Sequence, residues 1–402
     1  MWQILLFICA VIPALVFFYF LWLLIRIKIS PLNKIPGRNT WNPVFGNLMK
    51  KTKCNLFQMY KNDIEEYGNV YRYYSILGQC WIGITDAASV KHVVLENAKN
   101  YRRGPLTGVQ IFQQLVGNTS MILTSGWLHK KHRQLANPAF KLSNIRRFLP
   151  AMRRSARKLA DHWEFGSSRN DGRLSEIDIR KAMSRLTLTV IGECAFGFDF
   201  NCIDNDDSPI VRSLEQIIGV SDHLSAWHFL PYTEYLPSKR TKSLWGGIKS
   251  LRTIFYNMVK AKLGESPENK LEKDLLDLII AGNLKNDENL HMSNEELRDE
   301  MMTFILAGHE TSSLSLTYTL WLLSLHPDIQ EKCRAEIAEV ITKDTDESEF
   351  ELTYELIESM KYIKAVIYES LRLFPPIPYF SRTALSDFLL KFKRQLKYSD
   401  YY

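Results

Sequence analysis

Residues 293–325, SNEELRDEMMTFILAGHETSSLSLTYTLWLLSL, are the stretch that decides how this chain folds. Ser293 and Glu296 have the spacing of a capping box, which starts a helix, and the next proline is Pro327. The sequence therefore predicts one helix of more than thirty residues. At about 1.5 Å per residue, such a helix crosses most of a domain.

The middle of this predicted helix contains a polar motif. Gly308 costs about 1 kcal/mol relative to alanine in a helix interior. Thr311 can donate its hydroxyl to a carbonyl of the preceding turn, and a glycine beside such a threonine favours a bend. The bend is therefore predicted to open a polar notch in the helix, and an alcohol and a carboxylate such as Thr311 and Glu310 can order water and relay a proton. The alternative is that Gly308 permits close packing, His309 and Glu310 face solvent, and Thr311 is a tolerated small residue.

A second motif lies on a helix predicted from about Thr353 to Leu373. Glu369 and Arg372 are three residues apart, so they share a helix face and can form a charge-assisted pair. Such a pair is common on exposed helices and carries little information alone. Here a proline-rich run and Arg382 follow it.

The order of these motifs resembles the cytochrome P450 family of haem-thiolate monooxygenases. The resemblance covers nearly the whole chain and implies a mainly α fold with a small β region. It implies that the helix of residues 293–325 passes over one face of a haem, where Glu310 and Thr311 help to deliver protons to iron-bound dioxygen. Ala307 and Gly308 then belong to the haem-binding surface.

The resemblance also assigns basic residues to the haem propionates. Counting back from Pro138-Ala139-Phe140 identifies Arg133 as a propionate-binding arginine and places His129 where many family members have tryptophan. Arg382 has the same implied role. Without the neighbouring motifs, residues 126–133 would indicate a basic amphipathic helix with a solvated or membrane-facing stripe.

The family further implies haem b as cofactor, O2 and a lipophilic small molecule as substrates, and an NADPH-dependent reductase as electron donor. Substrate contacts would come from bulky apolar residues, namely Phe304, Ile305, Ile377 and Phe380. The alternative for each of these is an ordinary core position. For Glu369 and Arg372 the resemblance implies a structural role, locking the haem-side core, rather than a catalytic one.

The cysteines do not complete the family pattern. All six precede Glu369, and they are Cys9, Cys54, Cys80, Cys194, Cys202 and Cys333. The family continues after about Leu390 with F-x-x-G-x-R-x-C-x-G, whereas residues 391–402 read KFKRQLKYSDYY. We therefore expect a P450 domain over residues 51–390 that is incomplete at its C-terminus, followed by a divergent tail.

The missing cysteine loop has a chemical consequence, because the axial thiolate favours O–O cleavage. No metal ligand is assigned to this chain, and we expect little or no bound haem and no monooxygenase activity. The alternative function is a non-catalytic truncated pseudoenzyme or a membrane-anchored helical interaction protein.

The N-terminus predicts attachment to a membrane. Residues 2–25 are uncharged and almost wholly apolar, and about 20 such residues can cross a bilayer as one helix. A basic, proline-rich hinge is expected over residues 26–50. Because lysine and arginine follow the apolar run directly, the catalytic domain should face the cytosol, on the endoplasmic reticulum as a single-pass protein.

Composition narrows the remaining possibilities. The 402 residues carry a formal charge of +7, but no phosphate loop or recognition motif accompanies it, so we expect no nucleic-acid partner. The irregular cysteine spacing predicts neither a zinc site nor a disulfide framework. Aromatic and β-branched residues over 70–85 predict one hairpin, and most of the following chain has helical periodicity.

Overall fold

A computed structural model describes residues 2–40, 42, 44–47, 56–104, 109–168, 176–205, 207–221, 238–264, 274–285, 291–342 and 352–386. Residues 391–402, predicted as a divergent tail, lie outside this part of the chain. The chain divides into two compact units. Unit 1 comprises Met1–Val109, His223–Leu236 and Phe380–Tyr402, and unit 2 comprises Gln110–Asp222 and Pro237–Tyr379.

The described residues are mainly helical, as predicted. The helices are α1 (Trp2–Ile29), α2 (Leu56–Tyr67), α3 (Ala87–Lys91), α4 (Val109–Val116), α5 (Gly126–Ala136), α6 (Leu142–Arg147), α7 (Leu149–Ser168), α8 (Ile179–Phe196), α9 (Pro209–Ser221), α10 (Lys239–Gly264), α11 (Leu275–Lys285), α12 (Asn294–Leu325), α13 (Pro327–Thr342), α14 (Tyr354–Ser359) and α15 (Lys361–Leu373). The strands are β1 (Val70–Tyr74), β2 (Cys80–Ile84), β3 (Tyr101–Arg103) and β4 (Arg382–Ala384).

Unit 1 contains the predicted hairpin. Strands β1 and β2 pair antiparallel, with Val70 opposite Ile84 and Tyr74 opposite Cys80. The turn between them contains two left-handed residues, Leu77 at φ 51° and Gly78 at φ 67°, and only the glycine adopts this conformation without steric cost. Strands β3 and β4 form a second antiparallel pair, which the sequence did not predict.

Helix α1 occupies the segment predicted as a membrane anchor. Its C-terminal end packs on unit 1, since Leu23 and Ile27 are buried and the hydroxyl of Tyr74 donates to the carbonyl oxygen of Ile27 at 3.3 Å. No helix among the described residues is both long enough and apolar enough to span a bilayer. The helical part of the prediction for residues 2–25 is confirmed, and its transmembrane part is not supported.

The main hydrophobic core lies in unit 2. Helices α8, α9, α10, α11 and α12 contribute most of it, together with parts of α4 and α5. Its fully buried side chains include Phe196, Leu251, Phe255, Leu276, Ile279, Met301 and Met302. Each such side chain contributes about 1.5–3 kcal/mol when it leaves water. This core supports the N-terminal half of α12 from both α8 and α10.

Helix α12 begins and ends where the sequence predicts. The hydroxyl of Ser293 accepts from the backbone N–H of Glu296 at 3.2 Å, and the Glu296 carboxylate accepts from the Ser293 N–H at 2.7 Å. The capping box is therefore complete. The helix continues without interruption to Leu325, and α13 starts at Pro327.

The prediction of a single helix from about Thr353 to Leu373 is wrong, because two helices form there. Met360 lies between them and has a non-helical ψ of 78°. The carboxylate of Glu336, on α13, accepts from the backbone N–H of Tyr362 at 2.8 Å and of Ile363 at 2.9 Å. These bonds satisfy the first free N–H groups of α15, which in one continuous helix would donate to carbonyls of the preceding turn. Neither glycine nor proline marks this break in the sequence.

Candidate functional site

The rotation of α12 about its axis is set by His309. This side chain is 1% exposed, and its Nε2 lies 2.8 Å from the hydroxyl of Ser184 on α8. The hydroxyl of Thr187 donates to the carbonyl oxygen of His309 at 3.1 Å. Burial lowers the pKa of His309 to about 4, because the hydrogen bond with Ser184, which raises the pKa, has the smaller effect. The ring is therefore neutral near pH 7. The alternative that placed His309 in solvent is wrong.

Gly308 lies where α12 and α8 approach closely. A β-carbon at this position would lie 2.9 Å from Cδ1 of Ile191. That contact is closer than ordinary van der Waals packing, although the neighbour is the flexible end of a side chain. The close-packing explanation for Gly308 is therefore supported by the structure.

The opposite face of α12 carries Ala307 and Thr311. Residues two positions before and after His309 lie about 160° around the helix from it, at about 100° per residue. Ala307 is exposed, and the Thr311 hydroxyl donates to its carbonyl oxygen at 2.5 Å, which confirms the predicted back-bonding. Glu310 is partly exposed, with one carboxylate oxygen 3.9 Å from the guanidinium of Arg180. We call Ala307, Glu310 and Thr311 together the α12 notch.

The two apolar candidates on α12 differ in their surroundings. Ile305 is 1% exposed and belongs to the hydrophobic core, which is the position expected of a packing residue. Phe304 is partly buried, and its ring meets that of Phe140 edge to face with centroids 5.3 Å apart. Phe304 therefore retains an accessible surface that Ile305 lacks.

Helix α5 presents the two candidate propionate ligands of unit 2. Arg133 is exposed, and His129 is partly buried. The Nδ1 of His129 lies 3.0 Å from the carbonyl oxygen of Met121. Because a carbonyl only accepts, this ring nitrogen carries the proton. The ring is thereby held in one orientation.

A buried charged cluster joins α5 to α12, and the sequence did not reveal it. The Nδ1 of His132 lies 2.7 Å from the Glu300 carboxylate, and its Nε2 lies 3.2 Å from that of Glu296. Lys131 lies 3.4 Å from Glu296, and Glu300 also accepts from the backbone N–H of Met121 at 2.5 Å. The spacing of Glu296 and Glu300, one helical turn apart, was the available signal. It could not show which basic helix would face them.

This cluster shifts two pKa values. Burial opposes the charge on His132, but hydrogen bonds and the charges of Glu300 and Glu296 outweigh it and raise the pKa of His132. Burial acts against the Glu296 carboxylate as well, yet its bonds to Ser293 and His132 lower its pKa. His132 therefore ties α5 to α12 through hydrogen bonds that favour its charged form.

The charged pair on α15 has the predicted geometry. The Arg372 guanidinium donates to both Glu369 oxygens, at 2.8 and 2.7 Å, and both side chains are exposed. Next to this pair, the Phe374 ring stacks on Tyr318 of α12 with centroids 4.9 Å apart. The aromatic contact, rather than the exposed pair, packs the end of α15 against α12. Ile377, also in unit 2, is 68% exposed.

Unit 1 contains the remaining candidates, Arg382 and Phe380. Arg382 begins β4, where it stands opposite Arg103 of β3. Its guanidinium lies 4.9 Å from the centre of the Phe380 ring and donates to the carbonyl oxygen of Ser381 at 2.8 Å. Both Arg382 and Phe380 are exposed, so the contact between them is a weak one.

Burial favours the neutral thiol at each described cysteine side chain. Burial raises the pKa of Cys194 and of Cys202 to about 12, and it also raises the pKa of Cys80 and Cys333. Within the described part of the chain, no group of three or more His, Cys, Asp or Glu residues could hold a metal ion.

The comparisons with known proteins identify the class. The sequence model of cytochrome P450 matches residues 36–391. The chain therefore belongs to the cytochrome P450 family, as the order of its motifs indicated.

Several relatives share most of the chain. Cytochrome P450 monooxygenase 205 of Postia placenta is 27% identical over 385 residues, covering 91% of this chain and 68% of that protein. Cytochrome P450 monooxygenase claQ of Ampulloclitocybe clavipes is 29% identical over 395 residues, covering 93% and 71%. Cytochrome P450 72A397 of Kalopanax septemlobus is 30% identical over 314 residues, covering 74% and 56%.

The family implies a haem, and the described residues fit one only in part. The exposed guanidiniums of Arg133 and Arg382 suit carboxylates. The small side chain of Ala307 would leave room for a flat ring beside α12. All six cysteines of the sequence precede Glu369, whereas the cysteine loop of the family follows this residue. Within unit 2, Arg133 and Ala307 suit the carboxylate and the ring of a haem, and within unit 1 Arg382 suits a carboxylate.

Proposed function

We propose that this protein functions in haem-dependent monooxygenation, with O2 and a lipophilic small molecule as substrates and an NADPH-dependent reductase as electron donor. The α12 notch is the observation that carries the proposal. Ala307 is exposed there, and Thr311 is held by its bond to the Ala307 carbonyl. A bound haem would supply the activation of dioxygen.

The residues of this chain have distinct proposed roles. In unit 2, Arg133 and His129 would bind the carboxylates of the cofactor and Ala307 would leave space for its ring, whereas Gly308 packs against α8. For Arg382, in unit 1, the family implies a carboxylate-binding role as well. The remaining roles concern protons and substrate.

Thr311 and Glu310 are proposed to transfer protons. The Thr311 hydrogen is committed to the Ala307 carbonyl, so its oxygen is left to accept a hydrogen bond from water. Glu310 is partly exposed and can exchange a proton with solvent. Phe304, Ile377 and Phe380 are proposed as apolar substrate contacts, and the buried position of Ile305 supports a packing role instead.

For the polypeptide of residues 1–402 taken alone, we propose a non-catalytic state. The observation that favours it is the order of the cysteines, since all six precede Glu369 and the cysteine loop of the family follows this residue. A monooxygenase of this class needs a thiolate on iron to favour O–O cleavage. The polypeptide would then bind haem weakly or without a sulfur ligand.

Haem titration of the purified 402-residue protein tests both proposals. Arg133→Ala should weaken haem binding several-fold, because a carboxylate loses its charged partner, while Arg334→Ala on exposed α13 should leave it unchanged. Equal affinities in the two variants would contradict the assignment of Arg133. The reduced, carbon-monoxide-treated sample should lack the absorption of thiolate-ligated haem, and its appearance would contradict the non-catalytic state.

We also propose attachment to the endoplasmic reticulum membrane through α1, with the folded units facing the cytosol. Support comes from exposed apolar side chains on α1, including Leu15, Phe17, Phe18 and Trp22, and from basic residues just after them. Cell fractionation should find the protein in membranes and a variant lacking residues 2–25 in the soluble fraction. Equal partitioning of the two would refute the proposal.

A further inference from the structure

Three hydrogen bonds close a ring between α12, the turn of residues 117–124 and α5. The Glu300 carboxylate accepts from the backbone N–H of Met121 at 2.5 Å and lies 2.7 Å from the Nδ1 of His132. The carbonyl oxygen of Met121 in turn lies 3.0 Å from the Nδ1 of His129. Because His129 and His132 are three residues apart on α5, they share a helix face, which closes the ring.

Both bonds of Glu300 converge on one oxygen atom. Its Oε1 lies against the Met121 amide and against the His132 ring, whereas no partner of Oε2 is found among the described residues. Glu300 is 1% exposed and His132 is fully buried, so solvent competes little for this oxygen. The separation between Met121 and α5 therefore depends on a single carboxylate.

The ring also decides which nitrogen of His129 carries the proton. The Met121 carbonyl oxygen only accepts, so it selects the neutral tautomer that is protonated at Nδ1. His129 is only partly buried, in contrast to His132 one turn further along α5. The orientation of the His129 imidazole thus follows the position of one backbone carbonyl.

We propose that Glu300 is a positioning residue for His129 and acts through the backbone of Met121. Without this carboxylate the Met121 amide loses its acceptor, and the carbonyl of the same residue is free to turn away from the imidazole. The inference rests on the proposed function insofar as His129 binds a carboxylate of the cofactor. The control of the imidazole by Glu300 is a property of the protein without cofactor.

A second bond between α12 and the same turn offers a matched control. The hydroxyl of Thr119 donates to the Asp299 carboxylate at 2.8 Å, and Asp299 directly precedes Glu300. Asp299 keeps a charged partner when this bond is lost, since the guanidinium of Arg252 lies 3.3 Å away. Thr119→Val therefore removes one bond between the turn and α12 and leaves both bonds of Met121 in place.

Nitrogen-15 NMR of the full 402-residue protein without haem tests the positioning. Histidine carries the label, and the His129 signals are those that disappear in His129→Gln. In alkaline buffer, where an ordinary imidazole is neutral, the wild type should show the tautomer protonated at Nδ1. Glu300→Ala should show a mixture of both tautomers. Glu300→Gln should keep the wild-type tautomer, because its side-chain carbonyl still accepts, and so should Thr119→Val.

The proposal is overturned if the Nδ1 tautomer persists unmixed in Glu300→Ala. Equal loss of that tautomer in Thr119→Val would also overturn it, because any bond between the turn and α12 would then have the same effect. Hydrogen exchange covers the case in which Glu300→Ala does not fold. The Met121 amide should be protected in the wild type, and rapid exchange there would contradict its bond to Glu300.

Haem titration separates this inference from the proposed function. Glu300→Ala and His129→Ala should each weaken haem binding several-fold. The double variant should bind within about twofold of His129→Ala alone, because Glu300 acts through that imidazole, and multiplying effects would overturn the proposal. Unchanged binding in His129→Ala would contradict the proposed cofactor role of that residue, and the tautomer measurement then decides by itself whether Glu300 positions the imidazole.

Discussion

Two adjacent glycines in α10 show how single contacts decide the effect of a substitution. A β-carbon at Gly246 would meet nothing within 4 Å, whereas one at Gly247 would lie 2.8 Å from the backbone oxygen of Ser213 on α9. Gly246→Ala should raise the free energy of unfolding by about 0.5–1 kcal/mol, because alanine favours the helix. Gly247→Ala should lower it by about 1–3 kcal/mol, because the overpacked backbone must move.

Urea denaturation of the two alanine variants measures this difference. The pair is its own control, since both substitutions add one methyl group to the same turn of the same helix. Stabilisation by both changes would mean that α9 and α10 do not pack as closely as described.

His309 should make stability depend on pH. Its pKa is about 4 in the folded protein and about 6.5 in an unfolded chain. The unfolded state therefore takes up the proton first, and the stability that neutral His309 provides is lost as the pH falls from about 6.5 towards 4. From pH 7 to pH 5 the wild type should lose about 2 kcal/mol that His309→Gln does not lose.

Denaturation of both proteins at pH 7 and pH 5 isolates this contribution. His326→Gln, at an exposed histidine, is the control and should follow the wild type. Parallel losses in the wild type and in His309→Gln would show that the ring is not buried in its neutral form. The pH dependence that His132 contributes to stability has the opposite sign. Its raised pKa stabilises the folded protein in acid, and this stability is lost as the pH rises through that pKa.

At the scale of elements, α15 depends on a side chain from another helix. Glu336 accepts hydrogen bonds from the first free amides of α15, at Tyr362 and Ile363. Glu336→Ala should lower the free energy of unfolding by about 1–2 kcal/mol, as loss of a helix cap does. Hydrogen exchange at those two amides should become faster.

The matched control for this change is Glu331→Ala on the same helix. Glu331 is exposed and pairs only weakly with Arg334, at 3.5 Å, so its loss should cost less than about 0.5 kcal/mol. Equal costs for the two variants would show that the Glu336 bonds are not retained in solution.

The elements also show which features the sequence could predict. The start of α12 was predictable because its cap is local, with both partners within four residues. The break at Met360 was not, because the carboxylate that caps α15 comes from α13. Similarly, the motif around Thr311 was recognisable, whereas the bonds of His132 to Glu296 and Glu300 join residues more than 160 positions apart.

At the scale of the whole molecule, sequence periodicity predicted the mainly helical character, and the order of short motifs predicted the family. The family match over residues 36–391 confirms that order. The division into two units was not predicted, because unit 1 combines segments from both ends of the chain. Periodicity identifies helices one by one and carries no information on which distant segments join.

The pairing of β3 with β4 has a consequence during protein synthesis. Arg103 and Arg382 stand opposite each other, although about 280 residues separate them along the chain. A ribosome adding roughly 5–20 residues per second needs about 15–55 s to produce that interval. Throughout this time the nascent chain displays β3 as an unpaired strand, open to chaperones and to neighbouring nascent chains. Slower translation should therefore lengthen the time for which β3 lacks its partner strand.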